Sequence, residues 1–190
     1  MKDIKNVEIF LTPFGWMGVV SSGAGIMLSV LPRQDRGDVE KRLKSYMGTE
    51  TLEAGEVDSG GEIEEAMRRF FGGGAVDLTK FSLDYSGISP FFVRVYEVVR
   101  GIDRGRVMNY GKVAQAAGSH GGARAVGSAM ARNPFAPFVP CHRVVGKDGD
   151  LVGFGGGNGV EMKERMLSSE GIEGRSGSKF RVRLEFFASK

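Results

Sequence analysis

Three apolar runs fall within the first 31 residues: Val7-Glu8-Ile9-Phe10-Leu11, residues 16–20, and Gly25-Ile26-Met27-Leu28-Ser29-Val30-Leu31. The Pro13-Phe14-Gly15 turn and the Ser21-Ser22-Gly23 stretch cut them apart. Runs this short, bounded by Gly, Pro and Ser, suit strands rather than helices. The spacing then changes. Residues 38–47 place Val39, Leu43 and Tyr46/Met47 one helical turn apart, with Asp38 as the expected N-cap. Residues 62–71 put Ile63, Ala66, Met67 and Phe70 on one face, and Gly72-Gly73-Gly74 stops that helix. A chain that begins with a few short strands and continues in helices has few folds open to it.

A boundary is expected near residues 84–90, dividing the chain into 1–86, 87–175 and a tail, 176–190. Ser89-Pro90 is a helix start, with Ser as N-cap and Pro at the first helical position. Phe92, Val95, Tyr96 and Val99 follow at helical spacing. Two short helical stretches, 111–117 and 123–132, flank Gly118-Ser119-His120-Gly121-Gly122, the outline of a helix-turn-helix. Residues 149–159 are glycine-rich without the pattern of a phosphate loop, and read as a flexible loop. Residues 160–170 return to helical spacing through Met162/Lys163, Met166 and Leu167. In 179–187, Phe180, Val182, Leu184 and Phe186 alternate with Lys179, Arg181, Arg183 and Glu185, which predicts a strand with a basic outer face.

Several classes are excluded. No stretch reaches the roughly 18 uncharged apolar residues of a membrane span, and the N-terminus lacks the apolar core of a signal peptide, so a cytoplasmic protein is expected. A single cysteine allows no internal disulfide, and two histidines, one adjacent to that cysteine, make a poor metal-ligand set. The net charge is +3, but unevenly spread. Residues 1–89 hold 10 Lys+Arg against 14 Asp+Glu, residues 90–175 hold 12 against 8, and residues 176–190 hold 4 against 1. A polyanion would therefore meet the second half.

A lone cysteine is ordinarily a small buried hydrophobe. Cys141 has uncommon surroundings: Pro134, Pro137 and Pro140 predict a rigid, extended approach, and His142 and Arg143 follow directly. A thiol becomes nucleophilic when a base takes its proton or a cation stabilises the thiolate. His142 and Arg143 are groups of those two kinds.

Pro140-Cys141-His142-Arg143-Val144-Val145 resembles the active-site motif of the O6-alkylguanine-DNA alkyltransferases (methylated-DNA–protein-cysteine methyltransferases). Tyr110, Ala123-Arg124-Ala125-Val126-Gly127, Asn133-Pro134, Gly153-Phe154-Gly155-Gly156-Gly157, Lys163-Glu164 and Glu170-Gly171 match further elements in order, over about residues 88–173. The resemblance implies transfer of an alkyl group from O6-alkylguanine, and from O4-alkylthymine, to Cys141. It implies that Glu170 orients His142, that His142 deprotonates Cys141 through a water, and that Tyr110 donates to guanine N3. Asn133 would pin the turn that aims Cys141. The carbonyls of Cys141 and Val144 and the Gly155 amide would read the base, with Met130 and Phe154 as pocket walls. Arg124 would fill the gap left by a flipped nucleotide, and small residues at Ala123, Ala125 and Gly127 would let the helix approach the minor groove closely. The implied partner is double-stranded DNA carrying O6-alkylguanine, met by a monomer without cofactor or membrane, nucleoid-associated in a prokaryote.

The chain departs from some relatives in having Ala136 and Phe154 where they have proline and tyrosine, in lacking N-terminal zinc ligands, and in its basic tail. Rival readings are a non-catalytic alkylguanine lesion-binding protein, a Cys/His hydrolase and a helix-turn-helix transcription factor. The lesion binders replace the cysteine, the hydrolases place the histidine far from it, and Cys141 would be idle in a transcription factor. The expected fold is α/β (α+β), a small antiparallel-sheet N-terminal domain plus a mostly helical, winged-helix-like C-terminal domain with a helix-turn-helix.

Overall fold

The structure, a computed structural model, describes residues 4–49, 57–58, 61–152, 159–174 and 180–188. The chain forms two compact units, one of residues 1–86 with Pro134–Phe138, the other of 87–133 with 139–190.

In the first unit, β1 (Ile4–Thr12), β2 (Gly15–Ser22) and β3 (Gly25–Arg33) form an antiparallel meander. A short β4 (Val57–Asp58) adds parallel to β1, giving the order β3-β2-β1-β4, so the sheet is not purely antiparallel. Gly15, at φ 126°, makes the first hairpin possible, since a side chain there would run into the carbonyl of Arg33. Helix α1 (Arg36–Met47) lays Val39 and Leu43 on one sheet face against Val7, Ile9, Val20, Leu28 and Val30. Gly18 lets it lie close, because a Cβ there would strike both residues. The N-cap of α1 is Asp35, whose carboxylate accepts from the Gly37 amide at 2.5 Å, rather than Asp38. Asp38 instead sits in the first turn, where its charge favours the helix dipole. Helix α2 (Glu62–Phe71) buries Ala66, Met67, Phe70 and Phe71.

Pro134–Phe138 runs along β3, an edge strand of the sheet. Ser29 holds it twice: its amide donates to the Pro134 carbonyl and its hydroxyl to that of Ala136, each at 2.7 Å. Phe135 packs edge-on against Tyr85, and Phe138 against Phe81. This segment is a series of turns, not the extended approach that its prolines suggest. Asn133 Nδ2 donates to the Val139 carbonyl at 2.9 Å and draws the two ends together.

In the second unit, α3 (Pro90–Arg100) starts on the Ser89 cap and buries Val95, Tyr96 and Val99. β5 (Met108–Asn109) leads into α4 (Tyr110–Ala116), capped by Asn109, whose side chain accepts from the Lys112 amide. Helices α4 and α5 (Ala123–Ala131) pack on each other and on α3, and the Tyr96 hydroxyl donates to the Ala129 carbonyl at 3.1 Å. A 3-10 turn (Cys141–Arg143) precedes β6 (Val144–Val145), which pairs in parallel with β5. Helix α6 (Gly159–Ser169) buries Met162, Lys163, Met166 and Leu167. The expected strand over 179–187 is not formed among the described residues. Isolated bridges at Arg181, Val182 and Phe187 flank a 3-10 turn (Leu184–Phe186). That turn breaks the alternation and leaves Leu184 exposed. The basic residues have partners: Arg181 pairs with Asp150 and Arg183 with Glu173.

Candidate active site around Cys141

Cys141 opens the 3-10 turn after Pro140, and its thiol is buried. The Cys141 amide donates to the Val139 carbonyl at 2.8 Å, the same carbonyl that takes Asn133 Nδ2. Asn133 also hydrogen-bonds the thiol. One side chain therefore fixes both the backbone before the cysteine and the sulfur itself. Burial pushes the thiol above its ordinary pKa, while Asn133, the charge of Lys163 and the amides of Cys141 and His142 pull the other way.

His142 and Glu170, 28 residues apart, meet in the interior. His142 Nε2 lies 2.9 Å from Glu170 Oε1, and both side chains are essentially without solvent exposure. Arg143 grips the same carboxylate through Nε at 3.0 Å from Oε2 and Nη2 at 2.8 Å from Oε1, and its Nη1 donates to the Ile102 carbonyl at 2.6 Å. Burial alone would raise the Glu170 carboxyl; His142 and Arg143 overcome it and hold the group down at about 2. Burial lowers His142 despite Glu170, with Arg143 and Lys163 adding to the lowering. A neutral imidazole donating Nε2–H to a carboxylate keeps its other ring nitrogen basic, as a general base requires. Arg143 is thus committed to Glu170. The cation acting on the thiol is Lys163.

Lys163 is fully buried on the inner face of α6, among Met162, Met166 and Leu167. Its ammonium donates to the Val144 carbonyl at 2.6 Å and the Val152 carbonyl at 3.2 Å. Burial brings its pKa down to about 8, with Cys141 opposing. The sequence carried a signal for it, a lysine inside an apolar stripe, which is uncommon without a partner. Tyr110, the first residue of α4, donates its hydroxyl to the same Val152 carbonyl at 3.2 Å. Burial, then the charge of Cys141, push that hydroxyl up to about 12. Val144 is buried, and its carbonyl faces the lysine.

On α5, Val126, Ala129 and Met130 are buried, whereas Arg124 and Ala125 are exposed and Ala123 and Gly127 half-buried. The outer face is small except for Arg124, and a Cβ at Gly127 would meet nothing within 4 Å. Phe154 and Gly155 lie outside the described residues. Among the described residues no group of three or more His, Cys, Asp or Glu stands ready for a metal, and no helix is long and apolar enough to cross a membrane.

Comparison with known proteins bears on this geometry. The family model for the 6-O-methylguanine DNA methyltransferase DNA binding domain matches residues 90–172. A methylated-DNA–protein-cysteine methyltransferase of Salmonella typhimurium is 34% identical over 164 residues, covering 86% of this chain and 94% of that protein. The crystal structure of O6-methylguanine-DNA methyltransferase from the hyperthermophilic archaeon Pyrococcus kodakaraensis superposes with a TM-score of 0.68 at 31% identity, covering 87% of this chain and 99% of that one. That of Mycobacterium tuberculosis OGT in complex with DNA gives a TM-score of 0.66 at 26% identity, covering 87% and 92%.

Proposed function

This chain belongs to the O6-methylguanine-DNA methyltransferase family, and from that premise we propose how its own residues carry out the repair. It is a methylated-DNA–protein-cysteine S-methyltransferase, and its substrate is O6-methylguanine in DNA. The observation that carries the proposed roles is the buried His142–Glu170 contact of 2.9 Å, made by the residue that follows Cys141. It supplies a nucleophile, a base and a group that orients the base.

His142 takes the thiol proton through a water molecule, and Glu170, clamped by Arg143, holds the ring so that Nε2 keeps its own proton. The Cys141 sulfur attacks the O6 alkyl carbon; the S–C bond forms as the C–O bond breaks, and the electron pair stays on guanine. Tyr110 gives a proton to guanine N3 so that the base leaves neutral. Tyr110 then regains a proton and the imidazolium of His142 gives one up through solvent, so that overall the proton lost by the thiol balances the one gained by the base. Lys163 steadies the thiolate and the carbonyls of Val144 and Val152. The Tyr110 hydroxyl donates to the Val152 carbonyl, so giving its proton to guanine N3 means exchanging that acceptor for the base. The Cys141 and Val144 carbonyls and the Gly155 amide read the guanine edge, and Met130 and Phe154 wall the pocket. Asn133 keeps Cys141 aimed.

The reacting carbon is inside the duplex, so the nucleotide is flipped out. Arg124 takes its place, and Ala123, Ala125 and Gly127 let α5 enter the minor groove, where readout is largely indifferent to sequence. O4-alkylthymine is a second substrate on this reading. A thioether offers no easy return to thiol, so each molecule acts once. The test is the intact mass after incubation with duplex containing O6-methylguanine, with Cys141→Ala beside it. A gain of one methyl on the unsubstituted protein alone, mapped to Cys141, is expected. Tight lesion binding without mass gain would overturn the transfer reading in favour of a lesion-binding protein.

A further inference from the structure

Residues 180–188 lie beyond the family match and bear no group of the transfer chemistry, yet they are built into the second unit. Val182 is fully buried in a cluster with Val107, Val145, Leu167 and Ile172, and Phe180, Phe186 and Phe187 pack around it with Leu151. The backbone is tied on two sides. The Val182 amide donates to the Gly149 carbonyl at 3.0 Å. The Val107 amide donates to the Phe186 carbonyl at 2.9 Å, and the Ala188 amide to the Val107 carbonyl at 2.8 Å. Two glycines accommodate the segment: a Cβ at Gly149 would strike the Val182 carbonyl, and one at Gly174 the Phe180 ring. Arg181 pairs with Asp150 at 2.6 Å, and the Lys112 ammonium donates to the Ala188 carbonyl at 3.1 Å.

These anchor points flank the site. Val107 precedes Tyr110 by three residues and Asp150 precedes Val152 by two. The Tyr110 hydroxyl donates to the Val152 carbonyl. The segment thus grips the backbone on both sides of that hydrogen bond. The β5–β6 pairing beneath it is only two residues long and gives little rigidity alone. We propose that residues 180–188 form a strap that positions Tyr110 for alkyl transfer, by holding Val107 and Gly149-Asp150 in place so that the start of α4 keeps the Tyr110 ring beside Val152 while its hydroxyl passes from that carbonyl to the base. The inference rests on the role given to Tyr110 above; Val182 and Arg181 are positioning residues. Misplacement of a catalytic group by about 1 Å costs up to a hundredfold in rate.

Two variants test this. Arg181→Glu turns the pair with Asp150 repulsive at an exposed site without entering the core. A chain ended after Gly174 removes the strap altogether, and if it does not fold, Arg181→Glu carries the test alone. Single-turnover methyl transfer at saturating lesion duplex, lesion affinity in a Cys141→Ala background, and titration of Tyr110 by carbon-13 NMR of ring-labelled tyrosine are compared with the unaltered chain. Transfer should slow about tenfold, affinity should change by less than about threefold, and the titration of Tyr110 should move from that of the unaltered chain as its surroundings shift. In a Tyr110→Phe background the strap variants should slow transfer no further. Folded strap variants with undiminished rate, or losses that multiply with that of Tyr110→Phe, would overturn the proposal. The titration requires no methyl transfer. If the unaltered chain transfers no methyl while Tyr110 still responds to the strap, the transfer reading fails and the strap's hold on Tyr110 stands; an unmoved Tyr110 sinks the strap alone.

Discussion

Glu170 is the residue on which the charges of the site converge. Its carboxyl, ordinarily near 4.5, is held at about 2 in the folded chain by His142 and Arg143 against the cost of burial. A group whose folded pKa is depressed contributes stability above its unfolded value and loses it as pH falls through the folded one. The contribution, on the order of 3 kcal/mol, is thus complete above about pH 5 and gone near pH 2. Glu170→Gln should flatten this acid limb in calorimetric melts and lower stability at pH 7 by about 3 kcal/mol, because Arg143 is left buried without its partner charge. An acid limb unchanged in the variant would show that other carboxylates produce it. Lys163 makes a kinetic prediction. Its ammonium acts on the Cys141 thiol and loses its proton near pH 8. Lys163→Met should slow methyl transfer about tenfold at pH 7, equivalent to ~1.4 kcal/mol of lost charge stabilisation. The deficit should close above about pH 8, where the native lysine is neutral too. A deficit independent of pH would mean that Lys163 serves only to hold the Val144 and Val152 carbonyls.

Helix α5 separates two effects that usually travel together. A Cβ at Gly127 would meet nothing within 4 Å, so Gly127→Ala should raise stability by roughly 0.5–1 kcal/mol through helix propensity. If that face meets the sugar-phosphate backbone closely, the same substitution should weaken lesion binding severalfold, as a melting curve and a DNA titration would resolve; unchanged affinity would move the DNA to another face. At this scale the sequence was most readable where signals were local. Ser89-Pro90 fixed the start of α3, and the Gly72-Gly73-Gly74 run marked the end of α2. Asp38 failed as the α1 cap because Asp35 and Asp38 are both competent, and only the folded backbone selects which carboxylate reaches a free amide. Residues 179–187 have a strand's alternation, but a strand needs a partner edge. Val107 and Gly149 offer single bridges, and the chain turns at 184–186. The meeting of His142 with Glu170 was foreseen only through the family resemblance, which matched Glu170-Gly171; no local signal pairs residues so far apart. The allegiance of Arg143 to Glu170 and of Lys163 to Cys141 was not legible, since both depend on contacts between distant parts of the chain.

The chain does not divide between its two units at one cut. It leaves the second unit after Asn133, gives Pro134–Phe138 to the first, and returns at Val139, two residues before the cysteine. Nothing local marks this excursion, because Ser29, Phe81 and Tyr85, which hold these residues, precede residue 87. The course of residues 134–138 is therefore shaped by residues that the second half of the chain does not contain. A fragment of residues 87–190 would leave Phe135 and Phe138, both fully buried in the whole chain, without their cover. At about 1.5–3 kcal/mol for each side chain, roughly 3–6 kcal/mol of burial would be lost, much of the stability of a small domain. The hydrogen bonds from Ser29 to the Pro134 and Ala136 carbonyls would go with it. The fragment should bind a hydrophobic dye, melt without a sharp transition, and transfer methyl far more slowly than the whole chain. Supplying residues 1–86 as a separate polypeptide should restore part of the rate, in proportion to the complex formed, while the same polypeptide carrying Ser29→Ala should restore less. A fragment that melts cooperatively and transfers methyl at the rate of the whole chain would show that the path to Cys141 is set by Asn133 and the prolines alone.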